Sequence, residues 1–370
     1  MARRIPMVDL AAEYAEAGGA VEEAVLRCLR SGAYVLGPET AAFERELADL
    51  VGAGFAVGVG SGTEALTLTL RALGVGRDDE VITSAFTYFA TVEAILACGA
   101  RPVFVDLEPG SFAIDPDGVA EALGPRTAAV IPVHLFGRCA DMERLVAVAE
   151  AAEVPIVEDA AQAIGAGRGG RRAGSWGAAG CFSFYPSKNL SAAGDGGGIT
   201  TSDPDLAERL RLLRSHGLDA DGRHVLAGTT SRLDSLQAAV LRAKLPFLKI
   251  WSDARSRNAR IYGEELDGVA GVELPAAPPD EEIVWNQYTI RCRDRAAIQR
   301  ALDAAGIESR CYYGRLACEE PALGDQRIPA ARFPEAVRAR DKVLSIPIRP
   351  SCDPAVIREV AGVIRRAAAD

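Results

Sequence analysis

Short apolar runs alternate with longer amphipathic ones over the first half of this chain. Residues 55–59, 80–83, 102–105, 128–131 and 154–157 read as strands. Helical patterns at 65–73, 90–98 and 141–152 fall between them. Strands of four or five apolar residues, joined by helices of about ten, require crossover connections and are buried on both faces. The pattern predicts an α/β fold around a mainly parallel sheet. Asp203-Pro204 opens a further helix, with Asp as cap and Pro in the first turn. Leu233, Leu236, Val240, Leu241 and Leu245 keep helical spacing in the next one.

Composition shifts after Pro246. Residues 247–264 read as a long Arg-rich helix. Beyond it lie a strand (286–291), a helix (294–305), a strand (307–312) and two terminal helices. The reading is therefore a large domain over residues 1–246 and a smaller α+β domain over 247–370. An N-terminal arm, 1–18, is expected to pack on the smaller one.

Several function classes are disfavoured by composition. Net charge is −10 with no basic block, which argues against nucleic acid as a partner, because phosphate neutralisation needs a positive face. No apolar run approaches the ~20 residues of a membrane span, and no signal-like segment opens the chain. The eight cysteines are scattered without a Cys-x-x-Cys pair, and the three histidines show no ligand spacing. The expectation is a cytoplasmic, reduced protein without a metal site.

Positive charge is carried almost wholly by Arg; the only lysines are Lys188, Lys244, Lys249 and Lys342. Lys188 sits in Cys181-Phe-Ser-Phe-Tyr-Pro-Ser-Lys188-Asn189, just before the glycine run Gly194 to Gly198. Arg keeps its proton near neutral pH, whereas a Lys in suitable surroundings can act as nucleophile and proton carrier. Three other features join it. Gly60-Ser61-Gly62-Thr63-Glu64 falls between a strand and a helix; Ser61 and Glu64 make a capping box, and the helix start suits a phosphate. It is neither a Walker loop nor a Gly-x-Gly-x-x-Gly dinucleotide motif. Val157-Glu158-Asp159-Ala-Ala-Gln162 brings two acids to a strand end, where open α/β sheets place ligands. Tyr88 offers an aromatic face in the stretch Thr83 to Thr91. Each is unremarkable alone. Together an anion cradle, a stacking ring, a carboxylate for a pyridinium and a lysine are what pyridoxal 5′-phosphate requires.

These residues, with Ser31-Gly-Ala-Tyr34-Val-Leu-Gly-Pro38, Pro132-Val-His-Leu-Phe-Gly137, Arg232-Leu-Asp-x-x-Gln-Ala-Ala239 and Leu344-Ser-Ile-Pro347, give the chain a resemblance to the DegT-type sugar aminotransferases over nearly its whole length. The resemblance implies a fold-type-I enzyme with a seven-stranded sheet, using pyridoxal 5′-phosphate and its pyridoxamine form. It implies Lys188 as the residue joined to the cofactor and Asp159 as the partner of the pyridine nitrogen. Tyr88 would stack on the ring, Gly62, Thr63 and Ser183 would hold the phosphate, and Gln162 would face the ring hydroxyl. It further implies a homodimer with shared sites, in which a partner Asn helps bind phosphate. Here that motif reads Gly228-Thr-Thr230-Ser-Arg232, so Thr230 stands in its place. Tyr34, Tyr312 and Tyr313 are candidate substrate contacts. Cys311-Tyr-Tyr-Gly-Arg-Leu-Ala-Cys318 departs from the His-Tyr-Pro-x-Pro-Leu-His of many relatives.

The implied reaction moves an amino group from L-glutamate to a nucleotide-linked keto sugar. Motif similarity favours a 3-keto sugar, and Gln287-Tyr-Thr-Ile-Arg291 resembles members that handle 2-acetamido-3-keto hexuronates. A 4-keto sugar or a keto-cyclitol is the alternative acceptor. A sugar dehydratase would carry His in place of Lys188, and a non-catalytic cofactor-binding regulator would keep the same residues.

Overall fold

The computed structural model describes residues 4–369. Its centre is a sheet of seven strands: β1 (Phe55–Val59), β2 (Glu80–Ser84), β3 (Arg101–Val105), β4 (Thr127–Ile131), β5 (Val157–Asp159), β6 (Ala179–Ser183) and β7 (Gly197–Thr201). Their spatial order is β3-β2-β4-β5-β6-β7-β1, with β4 joined to β5 through the bridges Val130–Ile156 and Val133–Asp159. Neighbours run parallel except at β7, which is antiparallel to both β6 and β1. The mainly parallel seven-stranded sheet is therefore present.

Eight helices accompany this sheet: α1 (Leu10–Ser31), α2 (Pro38–Val51), α3 (Gly62–Ala72), α4 (Ala90–Ala97), α5 (Pro116–Ala122), α6 (Met142–Ala151), α7 (Pro204–Leu213) and α8 (Ser235–Lys244). Strand side chains alternate between faces. Val81 thus joins a core with Leu66, Leu70, Ile95 and Leu210, while Ile82 joins Val105, Val119, Met142 and Leu145 on the other side. Both faces are buried, which explains why the strands read as continuous apolar runs. The acids at helix starts act as expected: the Asp203 carboxylate accepts from Asp205 N (2.8 Å), and Asp141 from Arg144 N (3.3 Å).

A second, antiparallel sheet of β8 (Val272–Glu273), β9 (Tyr288–Cys292) and β10 (Val343–Ile346) packs with α9 (Leu248–Leu266), α10 (Arg295–Ala304) and α12 (Pro354–Ala369) around its own core, including Tyr262, Ile290, Leu302, Leu344 and Ile357. The remaining helix, α11 (Pro334–Lys342), leads into β10. Ile5 belongs to that second core: its N–H donates to Gly306 O and its carbonyl accepts from Glu308 N, both at 2.9 Å. Of the N-terminal arm, residues 1–3 lie outside the described residues; from Leu10 onward the chain is α1, which packs on α8.

Two sequence expectations are corrected. The strand read at 154–157 is displaced to 157–159. Pro155 has no N–H to give a ladder and contributes only its carbonyl, to Val130 N (3.0 Å). The strand read at 307–312 is not continuous. Ile307 pairs with Ile5 and Arg310 with Ser345, so the segment is divided between two partners and never forms one ladder.

Candidate active site

β5 and β6 lie side by side, with Asp159 in register with Cys181. Their carboxyl ends deliver the acids and, a few residues later, Lys188. Asp159 is 6% exposed. Its Oδ2 accepts from Thr91 Oγ1 at 2.8 Å and its Oδ1 from Ala161 N at 3.2 Å. Among the described residues it forms no ion pair. Lys188 is held at its backbone by Tyr185 O (2.8 Å). Its ammonium makes no hydrogen bond or ion pair among the described residues. Burial pushes it down to about 8, against the pull of the Asp159 carboxylate. Unpaired buried charges are uncommon because they are costly. Here a carboxylate and an amine both keep their ion-pairing capacity free.

The preceding acid behaves differently. Glu158 is fully buried. Its oxygens accept from Gly174 N (2.7 Å), Trp176 N (2.7 Å), Gly177 N (2.9 Å) and His134 Nε2 (2.9 Å). His134 Nδ1 accepts from Ala140 N at 3.1 Å, so the ring proton sits on Nε2. This carboxylate is fully used in holding the 174–177 turn.

At the start of α3, Ser61 Oγ accepts from Glu64 N (3.1 Å). The N–H groups of Gly62 and Thr63 have no intrahelical partner and carry the positive end of the helix. Gly62 lies against Ser183 so closely that a Cβ would stand 2.8 Å from Ser183 Cβ. A Cβ on Gly197 would stand 2.3 Å from the Ser61 carbonyl. The glycines thus let three backbone segments converge on one small cradle.

Tyr88 is largely exposed, and its ring centroid is 5.9 Å from that of Tyr313. Tyr313 receives a hydrogen bond on its phenol oxygen from Gln162 Nε2 (3.1 Å), while Gln162 Oε1 accepts from Phe136 N (2.7 Å). Tyr312 lines a cleft with Lys188. Lys188, Asp159, Tyr88, Gln162, Tyr312 and Tyr313 are thus brought together, and Gly62, Thr63 and Ser183 form the adjoining cradle. Tyr34 is held elsewhere within the chain, whereas Thr230 borders the start of α3 next to Ser61. Thr230 Oγ1 bonds His216 Nε2 (2.7 Å) beside Gly60, Ser61 and Asp195. Tyr34 donates to Leu29 O (3.0 Å) on an exposed apolar surface. Sequence reasoning missed Thr91 as the hydroxyl on Asp159, and Asn189, Arg255, Asn286 and Arg349 around the cleft. Thr91 lay in the quoted 83–91 stretch, but nothing local marked it.

The family model described as the DegT/DnrJ/EryC1/StrS aminotransferase family matches residues 16–365. The chain belongs to this family. It is 45% identical over 94% of both chains to the erythromycin biosynthesis sensory transduction protein EryC1 of Saccharopolyspora erythraea. It is 44% identical to the dTDP-3-amino-3,4,6-trideoxy-alpha-D-glucose transaminase of Streptomyces venezuelae, over 97% of this chain and 95% of that one. Identity to the UDP-2-acetamido-2-deoxy-3-oxo-D-glucuronate aminotransferase of Pseudomonas aeruginosa is 39%, over 97% and 99%. Among solved structures, S. venezuelae DesV in complex with a ketimine intermediate superposes with a TM-score of 0.97 at 43% identity, covering 99% of each chain. NtdA from Bacillus subtilis, solved with bound cofactor PMP, gives 0.89 at 27% identity, over 98% of this chain and 85% of that one.

Pyridoxal 5′-phosphate is the cofactor of this family, and the residues present fit it. Among the described residues Asp159 is a buried carboxylate without an ion pair and Lys188 an amine without one, and the free amides at the start of α3, held close against Ser183, suit a phosphate.

Proposed function

We propose that this aminotransferase moves the amino group of L-glutamate to the keto carbon of a nucleotide-linked 3-keto sugar. The observation that carries the reading is the Lys188–Asp159 arrangement: an amine and a buried carboxylate close enough to interact, neither with an ion pair among the described residues. The names of the S. venezuelae and P. aeruginosa relatives support a sugar aminated at C3, with a 2-acetamido-3-keto hexuronate among the candidates.

In this reading Lys188 would hold the cofactor's aldehyde carbon, and the Gly62 and Thr63 amides with the Ser183 hydroxyl would hold its phosphate. Asp159 would keep the ring nitrogen protonated, Tyr88 would cover one face, and Gln162 would stand by the ring hydroxyl. When bound, the cofactor supplies an electron-poor ring that draws off the electron pair released at the donor's Cα. The chain supplies the proton transfers. Once the donor's amine has taken its place, Lys188 Nζ would be free to accept the Cα proton and hold it for return, water would release the keto acid, and the reverse sequence would serve the sugar. A positioned base of this kind contributes ~10²–10⁴-fold.

The proposed division of the chain falls near residue 246, with a large cofactor-binding domain before it and a smaller one after. The proposed assembly is a homodimer. Its support is an exposed apolar surface on α1 and the loop that follows: Leu26, Leu29, Tyr34, Val35 and Leu36 are each at least 40% exposed. Thr230 would then serve the partner's phosphate site, and Tyr34 the substrate side. The proposed location is the cytoplasm.

The deciding experiment offers a panel of nucleotide-linked 3-keto and 4-keto sugars and keto-cyclitols with glutamate, and identifies products by mass spectrometry and NMR. Amination confined to 3-keto sugars is expected; amination of only the others overturns the assignment. A second reading, a cofactor-binding regulator, is favoured by the sensory-transduction name of the S. erythraea relative. Glutamate separates the two: conversion of the bound cofactor to its pyridoxamine form shows turnover.

A further inference from the structure

The cleft that holds Lys188 extends towards the three-stranded sheet, where Arg255, Asn286, Gln287, Tyr312 and Arg349 line it. Two guanidiniums in this cleft lack a hydrogen-bonded carboxylate. Arg349 gives one Nη to Cys352 Sγ (2.8 Å), and its Nε makes a long ion pair with Asp9 Oδ2 at 3.9 Å, too far for a hydrogen bond. Arg255 gives one Nη to Trp285 O at 3.3 Å. Among the described residues the Nε of each is buried without a hydrogen-bond acceptor. Burial lowers the Arg255 guanidinium to about 10 against the pull of Glu13, so its charge is present at neutral pH but poorly compensated.

Three acids also line the cleft; two are engaged by other side chains, and the third, Asp9, divides its oxygens between the start of α1 and a long ion pair with Arg349. Glu13 takes Lys244 Nζ (2.6 Å) and Ser191 Oγ (3.0 Å), Glu16 takes Trp251 Nε1 (2.7 Å), and Asp9 caps α1 through Ala12 N (3.0 Å). The cleft also holds two buried acceptors with no donor, Asn286 Oδ1 and Gln287 Oε1. Asn286 Nδ2 is committed to Asn189 Oδ1 (3.0 Å), and Asn189 Nδ2 to Val284 O (2.8 Å), which fixes the outward direction of Asn286 Oδ1. Buried polar atoms are nearly always satisfied, and each exception requires an explanation. Guanidiniums that lack a hydrogen-bonded carboxylate, beside acceptors that lack a donor, match the two ends of a zwitterion.

We propose that Arg349 and Arg255 hold a carboxylate of the α-amino-acid donor, with Asn286 Oδ1 and Gln287 Oε1 accepting from its ammonium before Lys188 acts at Cα. A guanidinium binds a carboxylate through two parallel hydrogen bonds, which Lys does not reproduce. The inference rests on the aminotransferase reading and assigns the donor side of that site.

Calorimetry tests it without turnover. Glutarate, a dicarboxylate with no amine, is titrated into holoenzyme. Arg349→Gln should weaken binding about tenfold to a hundredfold, as expected for losing hydrogen bonds to a charged group. Arg349→Lys should recover part of it, and Arg260→Gln on exposed α9 should match wild type. Single-turnover spectra add a split: R349Q should raise the glutamate concentration at half-saturation by the same factor and leave the keto-sugar half-reaction unchanged. Equal glutarate affinity in wild type and R349Q, no glutarate binding at all, or equal loss in both half-reactions would overturn the proposal. Glutarate binding in a protein that glutamate cannot convert would leave the subsite standing and sink the aminotransferase reading instead.

Discussion

The floor of the cleft and its far wall are built by different means. The floor comes from one sheet: Asp159 ends β5, Ser183 ends β6, and Lys188 follows five residues later. The wall comes from the second layer. Tyr312 and Tyr313 lie in a loop, Asn286 and Gln287 just before β9, and Arg349 just after β10. Groups on the floor keep their relative positions through backbone pairing within one sheet. Groups on the wall keep theirs only while two cores stay packed. The floor is therefore suited to bond-making chemistry, and the wall to recognising substrates that must enter and leave.

Substitutions on the floor should produce the largest effects. Lys188→Ala should lower transamination by at least ~10²-fold, and Lys188→Arg no less, because a guanidinium cannot give up its proton. Formation of 2-oxoglutarate from glutamate is the measurement; near-normal rates in either variant would break the distinction between floor and wall. Asp159→Asn removes the charge with little change of shape. Losing one partner of a buried charge pair costs ~3–5 kcal/mol, so the rate of the glutamate half-reaction should fall by ~10²-fold or more, with faster loss of cofactor on dialysis.

The floor was also the region that the sequence revealed most readily. Lys188 was conspicuous because lysine is scarce, and Asp159 because it ended an apolar run. Glycines 62 and 197 were visible as glycines, although their close approach to Ser183 and Ser61 appears only in three dimensions. The wall was hard to read for a physical reason. Arg255, Asn286 and Arg349 are brought together across more than ninety residues of chain, and no local periodicity records that meeting. The division of the 307–312 segment between Ile5 and Ser345 escaped notice for the same cause.

Adjacent acids on the floor sharpen the comparison. Glu158→Gln leaves at least one of the amides of Gly174, Trp176 and Gly177 without its acceptor. Each such group left buried costs ~1–3 kcal/mol, so the variant should unfold at lower temperature. Its rate per folded molecule should stay within a few-fold of wild type. A stable but inactive Glu158→Gln would show that this carboxylate acts in the chemistry.

The pH dependence follows from Lys188. Below about 8 its ammonium form dominates; above, the free amine does. Capture of pyridoxal phosphate by cofactor-free protein needs the amine, so the rate should rise with pH and level off above about 8. Asp159 holds the proton on, so Asp159→Asn should move the midpoint to lower pH. A midpoint near that of an ordinary lysine, or one unmoved by the substitution, would remove the electrostatic link between the two residues.

The smallest effect is expected on the wall. Tyr313→Phe deletes the phenol that Gln162 Nε2 reaches at 3.1 Å, and leaves the ring packed near Tyr88 and Phe86. A single hydrogen bond of this kind is worth about 0.5–1.5 kcal/mol, or roughly two- to tenfold. Gln162 Oε1 stays bonded to Phe136 N, so the amide keeps its place. The change should therefore appear in the concentration of acceptor needed for half-maximal rate, with the maximal rate nearly unaltered. A drop in maximal rate as deep as that of Asp159→Asn would move Tyr313 from the wall to the floor, because only a group that handles protons at the reacting atoms could cost so much.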